Sequence, residues 1–107
     1  MTVDAAHDEV WRIAGEAARV IRQAVSDRAY RVVLFGSWAM GNAGERSDID
    51  IGIEGPAPVD SAMMCKIREA VETLPTMYTV DVVDLRRVDP GFRALAMGRI
   101  VELETAA

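Results

Sequence analysis

Residues 48–53 restrict the fold more than any other segment, because they alternate aspartate or glycine with isoleucine. Successive side chains of a β-strand point to opposite faces of the sheet, so this period of two residues predicts a strand with one apolar and one polar face. Asp48 and Asp50 would then point the same way, while Ile49 and Ile51 pack into the core. We therefore expect a sheet that is covered on one face and has neighbouring carboxylates on the other.

Helices and strands alternate along the remainder of the chain. Helical periodicity or helix-terminal residues predict helices over residues 8–27, 63–74 and 90–97. Short β-branched and aromatic runs predict further strands over residues 31–35, 79–85 and 99–103. Asp60 is expected to cap the second of the helices. No linker or repeat interrupts this pattern, which predicts a single domain of the α/β or α+β class over residues 1–107.

The composition narrows the classes of partner. The chain has 107 residues, of which 50% are hydrophobic and 27% charged, and its net charge is −5. No apolar run approaches the roughly 20 residues of a membrane span, which argues against a membrane protein. An acidic chain without a lysine-rich block is also poorly suited to grip nucleic acid, since most of that affinity comes from neutralising phosphates.

The cysteine content and the first residues bear on the compartment. Cys65 is the single cysteine and cannot form an internal disulfide. The first ten residues have neither the basic n-region nor the apolar h-region of a signal peptide. We therefore expect a reducing, cytoplasmic environment.

Asp48 and Asp50 are the strongest signal for chemistry. Two carboxylates held side by side repel each other, and protonation or a bound hard cation relieves the repulsion. Oxygen ligands favour Mg²⁺ or Mn²⁺ over softer metals. A third carboxylate from the next strand would complete such a site, and this strand offers Asp81 and Asp84. We favour Asp81, because Asp84 lies nearer the strand end, where a solvated or capping role explains it.

A glycine-serine pair directly after the first predicted strand supplies the second part of the site. Gly36 permits a tight turn and a close backbone approach, and Ser37 is expected to cap a helical turn whose free N–H groups suit phosphate. Gly36 and Gly41 have P-loop spacing, but Asn42-Ala43 follows instead of Lys-Ser/Thr. A phosphate-binding turn beside paired carboxylates predicts nucleotidyl or phosphoryl transfer.

These residues resemble the core motif of the minimal nucleotidyltransferases of the DNA polymerase β superfamily. The motif reads Gly-Ser-Trp-Ala-Met-Gly over residues 36–41 and, after five intervening residues, Ser-Asp-Ile-Asp-Ile over residues 47–51. The resemblance extends over nearly the whole chain and includes the strand Val-Asp-Val-Val-Asp-Leu. It implies a polymerase-β-like fold, with a small mixed sheet flanked by helices.

The resemblance also implies roles for individual residues. The nucleoside triphosphate, expected to be ATP, would be held by Gly36, Ser37 and Ser47. Two Mg²⁺ ions would be bound by Asp48 and Asp50, and Asp81 would complete the metal site near the attacking hydroxyl.

The resemblance further implies a partner. Family members of this size are similar to antitoxins whose partner is a helical HEPN ribonuclease toxin, in a homo- or hetero-oligomer. The implied reaction transfers AMP, or another nucleoside monophosphate, to a tyrosine hydroxyl of the toxin. Many members carry an arginine where this chain has Met40, and the missing charge would weaken triphosphate binding. The alternative is an antitoxin with weak or no catalysis that neutralises a helical toxin by binding; nucleotidylation of a small molecule ranks third.

Overall fold

The computed structural model describes residues 5–44 and 46–103, in which helices and strands alternate along the chain. The helices are α1 (Ala5–Ala24), α2 (Gly36–Met40), α3 (Ser61–Glu72) and α4 (Pro90–Met97). The strands are β1 (Arg31–Phe35), β2 (Ile49–Glu54), β3 (Val80–Asp84) and β4 (Val101–Glu102). None of the described helices is long and apolar enough to cross a membrane.

The four strands form one mixed sheet in the order β3-β2-β1-β4. Strand β1 runs antiparallel to both β2 and β4, whereas β2 and β3 run parallel. A parallel pair needs a long crossover connection, which α3 provides. The structure thus confirms the expected small mixed sheet flanked by helices.

The isoleucines of β2 lie at the centre of the main core. Ile49, Ile51 and Ile53 are fully buried under α1 and α3, which cover one face of the sheet. Removing these aliphatic side chains from water stabilises this face, so the apolar half of the alternating pattern is confirmed. A smaller cluster on the opposite face joins the sheet to α4, and its buried members are Val33, Phe35, Leu85 and Ala96.

Local hydrogen bonds determine where the helices begin and end. The side chain of Asp60 accepts a hydrogen bond from the first turn of α3, which confirms the predicted cap. Helix α4 has the bounds that the sequence predicts. Helix α1 ends at Ala24, earlier than predicted. The Arg22 guanidinium donates hydrogen bonds to the carbonyls of Val25 and Tyr30, which stabilises a turn in place of a further helical turn.

Glu54 forms ion pairs with Arg86 and with Arg93 of α4, and the second pair connects this helix to the sheet. Glu54, at the end of β2, is only 6% exposed, yet its carboxylate has two cationic partners. Arg86 Nε lies 3.2 Å from Oε1, and Nη2 of Arg93 in α4 contacts Oε2. A buried carboxylate is unfavourable unless cations compensate it, so these pairs hold α4 over the sheet face that carries Glu54.

Removing the charge of Glu54 tests this role. Glu54→Gln leaves Arg93 without its anionic partner and is expected to lower the free energy of unfolding by about 1 to 2 kcal/mol. Glu102→Gln is the control, because the pair between Glu102 and Arg31 is exposed and is worth about 0.5 kcal/mol. Urea unfolding measures both variants, and equal losses would contradict the special role of Glu54.

Candidate active site

Asp50 lies at the centre of the candidate site because of its position in β2. In the sheet register it is paired with Phe35 of β1 on one side and with Asp81 of β3 on the other. Paired residues on neighbouring strands point to the same face, on strands about 4.8 Å apart. Since Ile49 and Ile51 point into the main core, Asp50 and Asp81 share the opposite face of the sheet.

Asp48 lies just outside the strand. The sequence pattern predicts a strand that starts at Asp48, whereas β2 begins at Ile49 and Asp48 is an exposed residue of the preceding segment. Its charge nevertheless acts on Asp50. Asp48 thus lies at the edge of the site, and its side chain is exposed rather than packed in the sheet.

The environment of Asp50 disfavours its charged form. Burial, then the negative charge of Asp81, then that of Asp48, raise the pKa of the Asp50 carboxyl to about 6. All three effects act in the same direction, because each makes an additional negative charge more costly. A divalent cation between these carboxylates would offset the repulsion.

Asp84 lies on the other face of the sheet. It is paired with Ile53, and it is 3% exposed. Its carboxylate accepts hydrogen bonds from the backbone N–H groups of Val59 (2.7 Å) and Arg86 (3.0 Å), and Nε of Arg87 lies 3.5 Å away. These contacts account for the buried charge, so the structure groups Asp81, and not Asp84, with Asp50.

Gly36 brings the backbone of the turn against Asp50. Its φ of 75° lies in the left-handed region that favours glycine, and a β-carbon at this position would clash with Oδ2 of Asp50. Any other residue would have to displace the carboxylate. The turn after β1 and the carboxylate of β2 are therefore in direct contact, although the sequence separates them.

Ser37 lies within α2 and does not cap it. The N-cap residue is Phe35, in an extended conformation, and no side chain accepts a hydrogen bond there. Gly36 has already made the turn, so Ser37 comes one position too late for the capping role that the sequence suggests. That expectation is wrong. No side chain caps the first N–H groups of α2.

Ser47 organises the segment that leads into the aspartates. Its hydroxyl accepts a hydrogen bond from the N–H of Gly44 (2.9 Å), and its carbonyl accepts one from the indole N–H of Trp38 in α2 (2.9 Å). The Trp38 ring in turn packs edge-on against Tyr78, with ring centroids 6.0 Å apart. Ser47 thus ties the chain before Asp48 to α2, and its assignment to nucleotide binding stays a prediction.

A cavity of about 490 Å³ opens over the face that carries Asp50 and Asp81. The sheet and the turn contribute Phe35, Gly36, Asp50, Asp81 and Val83 to its lining, and α2 contributes Met40. Its remaining wall is formed by Phe92, Leu95, Ala96 and Arg99, which belong to α4 or follow it. The cavity therefore combines an acidic floor with a mainly apolar wall.

Sequence reasoning missed the wall of α4. The short helix itself was predicted, and its spacing places Phe92 and Leu95 near each other on its surface. Which side of a short helix meets the sheet depends on contacts between distant parts of the chain, here the pair between Glu54 and Arg93. The spacing of four residues between Phe92 and Ala96 is the one feature of the local sequence that indicates which face of α4 meets the sheet.

The donor set suits Mg²⁺, although its members do not yet surround a common point. Asp48, Asp50 and Asp81 offer carboxylate oxygens, the ligands that Mg²⁺ prefers. In the part of the chain that the structure describes, no three His, Cys, Asp or Glu side chains are already arranged to hold a metal ion. Asp48 and Asp81 are exposed, so their side chains have room to rotate toward an ion at Asp50.

The raised pKa of Asp50 predicts a pH-dependent effect of Asp50→Asn on the metal-free protein. The wild-type carboxyl is charged at pH 8, where the substitution is expected to stabilise the fold by about 1 kcal/mol, allowing for solvent screening. Because the folded-state pKa lies above the unfolded one, the wild type regains this stability as the pH falls through about 6 toward 4.

Urea unfolding with a chelator at pH 8 and pH 5 measures this difference. Glu72→Gln, an exposed change at the end of α3, is the control and is expected to stay within about 0.5 kcal/mol at both values. A stabilisation by Asp50→Asn that is equal at the two pH values would contradict the prediction.

Comparisons with known proteins agree with this fold. A family model described as "Polymerase beta, Nucleotidyltransferase" matches residues 20–102. A solved toxin-antitoxin structure with AMP-PNP superposes with a TM-score of 0.67 at 20% identity, over 87% of this chain and 73% of that chain. A structure of a tri-AMPylated Shewanella oneidensis HEPN toxin in complex with MNT antitoxin gives a TM-score of 0.64 at 17% identity, over 91% and 73%.

A further structure, of the toxin-antitoxin MntA-HepT, gives a TM-score of 0.60 at 18% identity, over 89% of this chain and 72% of that chain. At these identities the likeness shows a shared fold. No curated protein sequence matches this chain significantly. The family model, in contrast, spans most of the chain and includes the strands and the turn that carry the site. The protein belongs to the polymerase β nucleotidyltransferase family.

Proposed function

We propose that this protein transfers a nucleoside monophosphate, expected to be AMP from ATP, to a hydroxyl group of a protein partner. The observation that carries the proposal is the contact of the Gly36 turn with Asp50, beside Asp81 in the same register. It brings a backbone turn suited to phosphate and two carboxylates to one cavity. These are the parts that nucleotidyl transfer requires, since the chemistry consists mainly of positioning and charge stabilisation.

The proposed reaction is a displacement at the α-phosphorus. The acceptor hydroxyl oxygen forms a bond to this phosphorus, the bond to the bridging oxygen of the β-phosphate breaks, and pyrophosphate leaves. The backbone at Gly36 and Ser37 orients the leaving phosphates at the start of α2. We assign the hydroxyl proton to Asp81, which lines the cavity and is exposed, so that an acceptor can reach it.

Magnesium is part of the proposal. Asp48, Asp50 and Asp81 would hold two Mg²⁺ ions, as the chemistry of these oxygen donors suggests. Bound there, the ions would neutralise charge on the phosphates and on the attacking and leaving oxygens. The protein's own contribution is the position of Asp50, which is set by its pairing with β1 and β3 and by the close approach of Gly36.

The proposed acceptor is a tyrosine of a HEPN-type toxin, which would make this chain an antitoxin in the cytoplasm. The support is the fold shared with chains of solved toxin-antitoxin complexes, one of which contains a tri-AMPylated HEPN toxin. The exposed apolar side chain of Met40 at the cavity is available for contact with a partner chain.

A second candidate function is neutralisation by binding, with weak or no catalysis. It is favoured by Met40, which brings no charge to the cavity. Both candidate functions involve the same partner, so a measurement of catalysis distinguishes them and a measurement of binding does not.

Transfer of label from ATP to a co-purified HEPN partner in Mg²⁺ tests the catalytic proposal. Wild type is expected to label the partner, and Asp81→Asn is expected to lower the rate at least about a hundredfold, because it removes a ligand and the proton acceptor. Asp84→Asn is the matched control on the same strand. It is expected to lower stability but to keep the rate per folded molecule within about threefold.

Absence of labelling by wild type, with the partner bound and folded, would contradict the catalytic proposal. Equal rates for wild type and Asp81→Asn would contradict the role of Asp81. In either case, the proposal of a toxin partner would be supported only by the co-purification of the two chains.

Protection of cells from the toxin separates modification from occlusion. The double variant Asp48→Asn, Asp50→Asn keeps the cavity and its exposed rim but loses two carboxylates. If modification silences the toxin, growth is expected to fall to that of cells without antitoxin, while the complex still co-purifies. Full protection by the double variant would favour occlusion instead.

A further inference from the structure

Helix α4 forms one wall of the cavity, and this wall contains the aromatic ring of Phe92. Phe92 is 45% exposed, and its ring packs edge-on against Phe35 with ring centroids 6.1 Å apart. Phe35 is buried and is the register partner of Asp50. The Phe92 ring therefore packs against the residue that is paired with Asp50 in the sheet.

Leu95 extends this apolar wall. Its side chain is 82% exposed, although the next residue of α4, Ala96, is buried. A large aliphatic side chain left this open costs free energy in water, and this cost is recovered when an apolar group covers it. Phe92 and Leu95 together offer a surface suited to a flat ring, since aromatic and aliphatic side chains both pack on ring faces.

Arg99 supplies positive charge at the same cavity. Its Nη1 donates a long hydrogen bond of 3.4 Å to the carbonyl of Met40, and no carboxylate is paired with it in the described structure. Among the described residues that line this cavity, it is the one cation. A guanidinium has five donors in a fork that matches phosphate oxygens, and most of these donors remain available.

We propose that the α4 wall binds the nucleoside triphosphate: the nucleobase lies on Phe92 and Leu95, and Arg99 contacts the phosphate chain. This inference rests on the proposed function, to which it adds the residues that select the nucleotide. The lining supports this occupant, because a nucleotide joins a flat ring to a polyanion. The cavity joins an apolar wall to the cation Arg99 and to carboxylates that would hold Mg²⁺ against the phosphates. A volume of about 490 Å³ is within the range of small-molecule sites.

The wall also predicts how the base is selected. Phe92 and Leu95 have no side-chain donors or acceptors that could read the edge of a base. Stacking depends on ring area and tolerates different edges, so purine nucleotides should bind better than pyrimidine nucleotides, with little discrimination between adenine and guanine.

Two probes separate the base from the phosphates. Calorimetry in Mg²⁺ compares a non-hydrolysable ATP analogue with inorganic tripolyphosphate. Arg99→Ala is expected to weaken both about tenfold, because it removes a charged contact to the shared part. Leu95→Ser is expected to weaken the ATP analogue about threefold or more and to leave tripolyphosphate unchanged.

Matched controls lie outside the cavity. Arg19→Ala removes an exposed cation from α1, and Met77→Ser removes a side chain that is 94% exposed before β3. Both are expected to bind the two probes as wild type does. Leu95 is so exposed that its substitution should not unfold the chain, and a melting curve of each variant checks this.

Three results would overturn the inference. If wild type binds the ATP analogue but Leu95→Ser and Arg99→Ala bind it equally well, the α4 wall does not hold the nucleotide while the proposed function survives. If Leu95→Ser lowers transfer at saturating ATP without changing nucleotide affinity, the wall serves the acceptor. If wild type binds neither probe in Mg²⁺, the proposed function fails together with this inference.

Discussion

The carboxylate of Asp50 is the constraint on which the rest of the structure depends. It is half-buried between Phe35 and Asp81, and the turn at Gly36 leaves no space beside it for a side chain. Such a position raises the cost of ionisation and so opposes folding near neutral pH in the absence of a cation. The isoleucines on the other face of the same strand offset this cost, because they lie in the main core.

The period of two residues explains why much of this site could be predicted from the sequence. The alternation of side chains along β2 predicts that Asp50 and the isoleucines lie on opposite faces of the sheet, and the structure confirms this. The same parity separates Asp81 from Asp84, because residues three apart on a strand must lie on opposite faces. What the sequence could not provide was the register across the α3 crossover, which pairs Asp50 with Asp81 and Ile53 with Asp84.

Other features depend on contacts that no local pattern contains. Serine favours the N-cap position, which predicts that Ser37 caps α2, but the left-handed turn at Gly36 starts the helix sooner, with Phe35 as the N-cap residue. The wall of Phe92 and Leu95 depends on how α4 docks. That docking involves the ion pair between Glu54 and Arg93 and the apolar cluster around Ala96, all of which join residues from different elements. Local propensity therefore predicted the helix but not its orientation.

The difference in exposure among the three carboxylates has a mechanistic consequence. Asp50 is fixed by the sheet, whereas Asp48 and Asp81 are exposed and can change rotamer at little cost. A cation that binds only the folded chain adds stability in proportion to its affinity, so ion binding would reverse the penalty at Asp50 and order its neighbours. The phosphates of the proposed nucleotide would bring further negative charge to the same carboxylates. On the proposed function, metal and nucleotide should thus bind cooperatively, because the cation offsets the repulsion between the phosphates and the carboxylates.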